Sequence, residues 1–398
     1  MKILQINIDY KQGSTGNIMY NIHKILNENE FESFVAYGRG DWDEDNVIKI
    51  SNKFDFYLHA LGTRVFDRHG LYSTRVTKNF IEKIDKLDID VFHLHNIHGY
   101  YINYKILFNY LKKKNKPVVW TFHDCWAFTG HCSHYEYVGC DKWQDHCGSC
   151  PQKNRYPKSV LFDNSYNNFE LKKKYFTSIK NLTIITPSNW LKNEVKKSFF
   201  KNYDIQVIHN GIDLEVFKPR KSDFRKKFNI ENKFIILGVA NVWEERKGFD
   251  YFIKLSKMLQ NNEVIVLVGL NDKQLKYLPK NVIGIKRTNN LEELVEIYSS
   301  ADVFVNPTLE EVLGLTNIES LACGTPVITF DSGGSPECLD EKCGYIVKKG
   351  DLGELYNKML EVKNKSKSYF SKHCLKRANL FDKNDKFMEY VKLYKDLT

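Results

Sequence analysis

Two glutamates, Glu311 and Glu319, stand on either side of seven uncharged residues in the stretch EEVLGLTNIESLACGTPV. The preceding segment DVFVNPT reads as a strand, and a helix is predicted to begin near Leu315. Backbone amides and the positive dipole end at a helix N-terminus suit a phosphate. Gly314 would let a ligand approach that backbone closely, and Thr316 could add a hydroxyl donor. The pattern therefore predicts a phosphate site at this loop.

The two carboxylates would repel a phosphate, so they are expected to face something neutral. If the segment is helical, Glu319 lies roughly 6 Å along the axis from Leu315, a separation that suits a ribose with two hydroxyls to donate. Glu311, on the loop side, would meet hydroxyls of a group beyond the phosphates. A nucleotide-diphosphate-sugar meets all three demands. The other interpretation is an amphipathic helix with exposed acids and a glycine, Gly324, at its end.

Short apolar strands alternate with helical patterns along the whole chain. The strands run from KILQINI, ESFVAYG and DVFHLHN to DVFVNPT, TPVITF and YIV, and the helices include TGNIMYNIHKILNE and NLEELVEIYSSA. Continuous apolar runs are typical of parallel strands covered on both faces. The alternation predicts doubly wound α/β domains, whose ligands bind at the carboxyl ends of the strands.

The chain has 398 residues, which is too long for one ordinary core. The segment HNGIDLEVFKPRKS marks the predicted boundary. The expected domains are residues 1–212, with a cysteine-rich insertion at 125–157, then 213–380, with a final helix at 381–398 crossing back to the first domain. The opening MKILQINIDY is too short and polar for a signal peptide, so a cytoplasmic location is expected.

The net charge of +10 points to anionic partners. Lysine clusters such as LKKKNK and ELKKKYF lie on predicted helices, where a solvated face is the simpler interpretation. A weak attraction to a membrane surface is the further hypothesis.

Four segments occur in a characteristic order: HNGIDLEVFKP, SSADVFVNPT, EEVLGLTNIESLACGTPVI and DSGGSPE. Together they resemble the interdomain segment and the E-x7-E signature region of family 4 retaining glycosyltransferases. The resemblance implies the GT-B fold, two Rossmann-like domains facing each other across a cleft. It also implies transfer of a sugar from a UDP- or GDP-sugar to a hydroxyl, with the departing phosphate helping to deprotonate the acceptor and no cofactor in catalysis.

The resemblance also implies roles for particular residues. In the second domain it implies Glu319 on the ribose, Glu311 on the donor sugar, and the amides of Gly314, Leu315 and Thr316 on the diphosphate. A basic pair, Arg246 and Lys247, would neutralise the leaving diphosphate. The family places its arginine directly after the strand, where this chain has Asn241, so Arg246 either replaces it or forms a surface ion pair.

In the first domain, Gly13 and Gly16 of the KQGSTGN loop resemble the family's glycine loop over the donor phosphates, with a plain turn as the alternative. The resemblance places His123 beside the donor sugar, whereas a buried structural histidine is the alternative. Asp124 follows it directly, and Asn96 and His98 end a neighbouring strand, so these three are acceptor-side candidates.

Five of the nine cysteines fall between Cys125 and Cys150. Four of these five cysteines, all except Cys125, form a candidate structural zinc set that ends in Cys-x-x-Cys: Cys132, Cys140, Cys147 and Cys150. Buried reduced thiols or a redox pair are the alternatives. The segment resembles a subset of family 4 enzymes from polysaccharide gene clusters, with HDCWAFTGHC and CGSCP as hallmarks.

The expected acceptor is a growing, lipid-linked surface polysaccharide, such as an O-antigen, capsule or exopolysaccharide, at the inner face of the plasma membrane. DWD (41–43) and DID (88–90) match Asp-x-Asp formally, but neither lies where a catalytic magnesium site is expected. Two alternatives stay open. The first, a zinc-bearing nucleic-acid-binding protein, would explain the positive charge and the cysteines but not the glutamate pair, so no nucleic-acid partner is expected. The second, a GT-B-fold nucleotide-sugar epimerase, would share the motifs.

Overall fold

The computed structural model describes residues 1–397, which form two compact units. The first unit contains residues 1–209 and the chain from Lys386 onward, and the second contains residues 210–385. Both divisions differ from the predicted ones after residues 212 and 380. The reason is a backbone bridge: Ile212 N donates to Phe381 O at 2.9 Å, and Lys383 N donates to Ile212 O at 2.9 Å. This pairing holds both ends of the second unit together.

The first unit is built on a seven-stranded, wholly parallel sheet in the order β3-β2-β1-β4-β5-β6-β7. Its strands are β1 Lys2–Asp9, β2 Glu32–Arg39, β3 Val47–Lys49, β4 Val91–Leu94, β5 Val118–Thr121, β6 Leu182–Thr186 and β7 Asp204–Val207. Its helices are α1 Gly13–Glu28, α2 Lys53–Phe66, α3 Thr74–Ile84, α4 Tyr104–Lys114, α5 Ser165–Phe176 and α6 Asn189–Lys197.

The second unit has a six-stranded parallel sheet in the order β10-β9-β8-β11-β12-β13. Its strands are β8 Phe234–Val239, β9 Glu263–Val268, β10 Val282–Ile285, β11 Val303–Asn306, β12 Val327–Phe330 and β13 Gly344–Val347. Its helices are α7 Phe224–Lys227, α8 Phe249–Ser256, α9 Asp272–Lys276, α10 Leu291–Ser300, α11 Leu315–Ala322, α12 Leu352–Lys365 and α13 Lys367–Ala378. A final helix, α14 Lys383–Asp396, follows. Among the described residues, no helix combines the length and apolar character that crossing a membrane requires.

The predicted fold class is confirmed, because both units are parallel α/β sheets of the Rossmann-like kind. Strands such as β4, β5 and β11 are buried along their whole length, as continuous apolar runs predict. The sequence did not predict β3, a partly exposed strand of three residues at the sheet edge, nor the helices α2 and α3.

The final helix completes the core of the first unit, in agreement with the predicted return of this segment. Phe387, Tyr390, Val391, Leu393 and Tyr394 are buried in one cluster with apolar residues of β1, α1, β4, β5 and β6. Two of these side chains also bond to strand residues. The Tyr394 hydroxyl lies 2.5 Å from His93 Nδ1, and the Tyr390 hydroxyl lies 3.1 Å from Thr121 Oγ1.

The cysteine-rich segment between β5 and α5 has no strand and folds around aromatic side chains. Three single 3₁₀ turns, Trp126–Phe128, Glu136–Val138 and Lys142–Gln144, carry it. The buried Lys172 of α5 fixes it by donating to the carbonyls of Trp126 at 2.7 Å and Thr129 at 2.9 Å. Burial lowers the pKa of Lys172 to about 7. The segment is therefore a packed lobe of the first unit.

Tyr394→Phe should lower the free energy of unfolding by about 1–3 kcal/mol, because it leaves a ring nitrogen of the buried His93 without its hydroxyl partner. Tyr57→Phe is the control, since Tyr57 is 69% exposed and its loss should cost almost nothing. Urea unfolding followed by tyrosine and tryptophan fluorescence measures both. Equal stabilities for the two variants would contradict the assigned role of the final helix.

Candidate functional site

Lys247 and Glu311 form a partly buried ion pair in the second unit, with Nζ 2.5 Å from Oε2. Lys247 ends a 3₁₀ turn that begins at Glu245, and Glu311 lies in the loop after β11. Gly248 makes the approach possible, because its φ is +79° and a Cβ there would lie 2.1 Å from the Pro307 carbonyl oxygen. The turn and the loop are thus packed backbone against backbone, and they hold a cation beside a carboxylate.

Arg246, the neighbour of Lys247, makes a different contact. Its Nε donates to Glu244 Oε2 at 2.9 Å, within the same exposed turn. Its backbone carbonyl accepts from Leu309 N at 2.7 Å, which ties the turn to the loop after β11. Of the two interpretations of Arg246, the structure shows the local ion pair, whereas Lys247 is the cation that points at Glu311.

The start of α11 is fixed by the amide of Asn317, a residue that the sequence interpretation did not single out. Asn306 Nδ2 donates to Asn317 Oδ1 at 2.8 Å, and Asn317 Nδ2 donates to Ser335 Oγ at 2.9 Å. Gly314 precedes the helix, and a Cβ there would lie 2.6 Å from Asn317 Nδ2. Among the described residues, no side chain caps this helix start. Leu315 N donates to Leu313 O at 2.9 Å, and Asn317 N donates to Gly314 O at 2.9 Å. The Leu315 amide, which the sequence assigned to a diphosphate, is therefore occupied, and the Thr316 amide is the first-turn donor left for a ligand.

Leu315 and Thr316 are the first two residues of α11 and are both partly exposed. Glu319 follows one turn later, where the Tyr298 hydroxyl donates to its Oε2 at 2.9 Å. Burial raises the pKa of Glu319 to about 7, against the opposing effect of the Tyr298 hydrogen bond. This carboxyl is therefore balanced between its neutral and charged forms near neutral pH.

The loop after β12 supports Glu311 from behind. Gly334 N donates to the Glu311 carbonyl at 2.8 Å. Gly333 has φ +56°, and a Cβ there would lie 1.9 Å from the same carbonyl oxygen. The segment DSGGSPE, the last of the four segments on which the family resemblance rests, thus sets the position of Glu311.

In the first unit, Asn7 ties the glycine loop to the end of β4. Gly13 opens α1 with φ +64°, and a Cβ on Gly16 would lie 3.2 Å from the Asp9 carbonyl. Asn7 Nδ2 donates to Asp9 O at 2.8 Å, while Asn7 Oδ1 accepts from Asn96 N at 3.2 Å. The glycines and Asn96 therefore share the carboxyl edge of neighbouring strands.

A chain of hydrogen bonds fixes the protonation of His123. Gln5 Nε2 donates to Met19 O at 3.4 Å, so its Oε1 accepts from His95 Nε2 at 3.2 Å. His95 Nδ1 is then an acceptor, and the His123 Nε2 that lies 3.0 Å away is the donor. Burial lowers the pKa of His123 to about 4, so the ring is neutral at pH 7. The other nitrogen, Nδ1, must therefore carry a lone pair.

Asp124 and His98 form the adjoining pair, with His98 Nε2 2.9 Å from Asp124 Oδ2. His98 Nδ1 lies 2.9 Å from the Tyr156 hydroxyl. Burial would raise the pKa of Asp124, but His98 and the Trp126 amide together lower it to about 2. A cavity with about 190 Å³ of empty volume is lined by these residues and their neighbours, which include His95, Asn96, His98, His123 and Asp124. The structure thus brings together all the acceptor-side candidates and His123.

The four cysteines of the predicted zinc set also share one small cavity, together with His131. Their thiols are free, and Cys147 Sγ accepts from Gly130 N at 3.1 Å. Within residues 1–397, however, no three or more His, Cys, Asp or Glu side chains are arranged so that they could hold a metal ion. The structure does not support the zinc set, and zinc at this lobe stays a prediction.

Sequence reasoning missed three residues that position the site: Asn317, Tyr298 and Gln5. Asn317 lies inside the glutamate motif itself, so its uncharged amide could have been weighed with the glutamates. Tyr298 and Gln5 carry no local signal, because their partners lie 21 and 90 residues away.

The fold has known counterparts among solved structures. The Anabaena HepE structure, in complex with UDP, superposes with a TM-score of 0.69 at 15% identity and covers 100% of both chains. This likeness shows that the chain has the GT-B fold.

Sequence comparison then gives the family. Residues 15–216 match the family described as Glycosyltransferase Family 4, and residues 233–364 match the one described as Glycosyl transferases group 1. The chain therefore belongs to glycosyltransferase family 4.

Two relatives in Escherichia coli agree with this assignment. The putative colanic acid biosynthesis glycosyl transferase WcaC of strain K12 is 25% identical over 382 residues, 89% of each chain. A UDP-Gal:alpha-D-GlcNAc-diphosphoundecaprenol alpha-1,3-galactosyltransferase is 30% identical over 200 residues, which are 45% of this chain and 51% of that protein.

Gly333→Ala should destabilise the protein by more than Gly139→Ala, although both glycines have similar positive φ angles of +56° and +61°. At Gly139 no atom lies within 4 Å of the added methyl, so only backbone strain of about 1–2 kcal/mol is expected. At Gly333 the methyl also collides with the Glu311 carbonyl. Urea unfolding compares the two variants, and equal losses would show that the loop can move away from Glu311 at little cost.

Proposed function

We propose that this chain is a retaining glycosyltransferase that moves a sugar from a UDP-sugar to a hydroxyl of a growing, lipid-linked surface polysaccharide at the inner face of the plasma membrane. The observation that carries the proposal is the arrangement in the second unit. The Thr316 amide at the start of α11 lies in the same unit as the Lys247–Glu311 pair, and Glu319 follows one turn later, where Tyr298 of α10 holds it.

The donor chemistry follows from those groups. The diphosphate would bind the Thr316 amide and hydroxyl at the start of α11, close to Gly314 and Leu315, where the helix dipole favours negative charge. Lys247 would neutralise the charge that develops on the departing phosphate. Glu319 would accept two ribose hydroxyls, and Glu311, oriented by Lys247, would accept from hydroxyls of the sugar.

Names of similar proteins support the choice of UDP and of a lipid-linked acceptor. HepE was solved with UDP, and the second Escherichia coli relative is named for UDP-galactose and a diphosphoundecaprenol acceptor. WcaC, which matches along most of this chain, is named for colanic acid, a polysaccharide. GDP, left open by the sequence, is the second donor to test.

In the first unit, His123 would act by position rather than by proton transfer. Its neutral ring would offer the Nδ1 lone pair to a hydroxyl of the donor sugar, which orients the reacting carbon. The His98–Asp124 pair and Asn96 would serve the acceptor. No side chain is assigned as a covalent nucleophile or as the ligand of a catalytic metal. As the resemblance to the retaining enzymes implies, the departing phosphate would take the acceptor proton.

UDP at a hundredfold excess over its dissociation constant should stabilise the wild-type protein by about 2.7 kcal/mol, and GDP or ADP by much less. Glu319→Gln should lose most of this stabilisation, because a neutral amide cannot accept two ribose hydroxyls equally well. Glu341→Gln, at an exposed carboxylate of the second unit, is the control and should behave as wild type. Thermal unfolding measures all three proteins. A wild type that none of the nucleotides stabilises would overturn the proposed donor site.

The pH dependence sharpens the same measurement. Because the folded pKa of Glu319 is raised to about 7, its contribution to stability is present at low pH and is lost as pH rises through 7. UDP needs the ionised form, so binding should release a proton between about pH 5 and 7. Calorimetry in two buffers with different ionisation enthalpies measures that proton. Glu319→Gln should abolish the proton release that comes from Glu319, whereas any proton released by the UDP phosphate should still be observed.

Gln5→Met should lower kcat about tenfold, the rate equivalent of about one hydrogen bond, and leave KM for the donor nearly unchanged. Methionine fills a similar volume, but its thioether is only a weak acceptor for His95 Nε2, so the lone pair on His123 Nδ1 is no longer enforced. Gln206→Met, at an exposed position of β7, is the matched control. Steady-state assays with UDP-sugar compare them, and a Gln5→Met enzyme with wild-type kcat would remove the hydrogen-bond chain from the mechanism.

A further inference from the structure

The helix α2 turns an apolar face to solvent. Its exposed apolar side chains are Phe54, Tyr57, Leu58, Leu61 and Phe66, each between 51% and 74% exposed. The first four follow the spacing of a single helix stripe. The opposite face carries His59, Ala60 and Thr63, which are buried. Packing of that second face fixes the rotation of the helix, so the apolar stripe cannot turn inward.

A loop from the cysteine-rich lobe extends this stripe. Val160, Leu161 and Phe162 are 55–63% exposed. Val160 N donates to Arg64 O at 2.7 Å, and Phe162 N donates to Val65 O at 3.3 Å. The rings of Phe66 and Phe162 stack with centroids 5.9 Å apart. We call the eight side chains of helix and loop the α2 patch, since backbone hydrogen bonds make them one surface within the first unit.

The two segments that carry the α2 patch are cationic. Residues 52–68 and 153–163 contain six basic residues, Lys53, Arg64, Arg68, Lys153, Arg155 and Lys158, against three acids. Two of the acids are occupied locally. Asp67 is buried against His131, and Asp163 accepts from the Cys150 and Ser165 amides. The charge presented around the apolar side chains is therefore positive.

We propose that the α2 patch docks on an anionic lipid surface, with its apolar side chains at the acyl boundary and its basic side chains among the headgroups. A second copy of the chain fits less well, because a two-fold contact would set this positive patch against itself. A lipid partner deepens the proposed function, since a lipid-linked acceptor lies in such a surface. The docking itself does not depend on any nucleotide or sugar.

The test is co-sedimentation of the full chain with phosphatidylcholine vesicles, with and without phosphatidylglycerol. The patch variant Leu58→Gln/Leu61→Gln/Leu161→Gln should partition about tenfold or more weakly onto the anionic vesicles. Val242→Gln/Tyr277→Gln/Leu291→Gln, at apolar side chains of the second unit that are 52–77% exposed, is the matched control and should bind as wild type. Arg64→Gln/Lys158→Gln should reduce the preference for anionic over neutral vesicles.

Circular dichroism melting first establishes that the variants are folded. Equal partition of the patch variant and wild type, or no binding of wild type to anionic vesicles at about 0.1 M salt, would overturn the proposal. A wild-type dimer that the patch variant dissolves, seen by light scattering, would assign the surface to a second copy instead. UDP stabilisation of the wild type is measured in parallel. Its absence, together with wild-type binding to anionic vesicles, would count against the donor site and leave the docking surface intact.

Discussion

The amide of Asn317 is the contact on which the arrangement of the second unit depends. It is fully buried and joins the end of β11 to the loop after β12. A buried amide left without partners costs free energy, so separating β11, α11 and the loop after β12 is unfavourable. These hydrogen bonds of Asn317 fix the position of Gly314 and the direction in which α11 starts. They therefore also fix the position of Glu319 one turn later. The same loop after β12 supports the Glu311 backbone.

The two units differ in how their contacts set the charge of the site side chains. In the second unit, Lys247 and Glu311 neutralise each other, while burial leaves Glu319 balanced between its neutral and charged forms near pH 7. In the first, burial keeps His123 neutral and the neighbouring His98 keeps Asp124 ionised. Contacts within the first unit thus hold His123 and Asp124 each in one protonation state. Glu319 of the second unit is instead left to change its protonation state when a ligand binds.

Much of this could be predicted from the sequence, because strands and the glutamate motif are local signals. Every predicted strand was found, since continuous apolar runs identify strands covered on both faces. The unit divisions were misplaced by a few residues because the pairing of Ile212 with Asp382 joins distant segments. The role of Gln5 could not be predicted for the same reason. It is a polar residue inside an apolar strand, and its partner His95 lies 90 residues away in the sequence. The helix α2 was missed although its apolar residues have helical spacing; what the sequence could not show is that this stripe faces solvent rather than a core.

The burial of Tyr390 and Tyr394 in the first unit has a consequence for biosynthesis. A ribosome delivers the seven strands of that unit first, yet the helix that covers β1, β4 and β5 follows only after the whole second unit has been made. Until then, the strand residues that this helix covers have only α1 on that side. The first unit therefore completes its core only after the second unit has been synthesised.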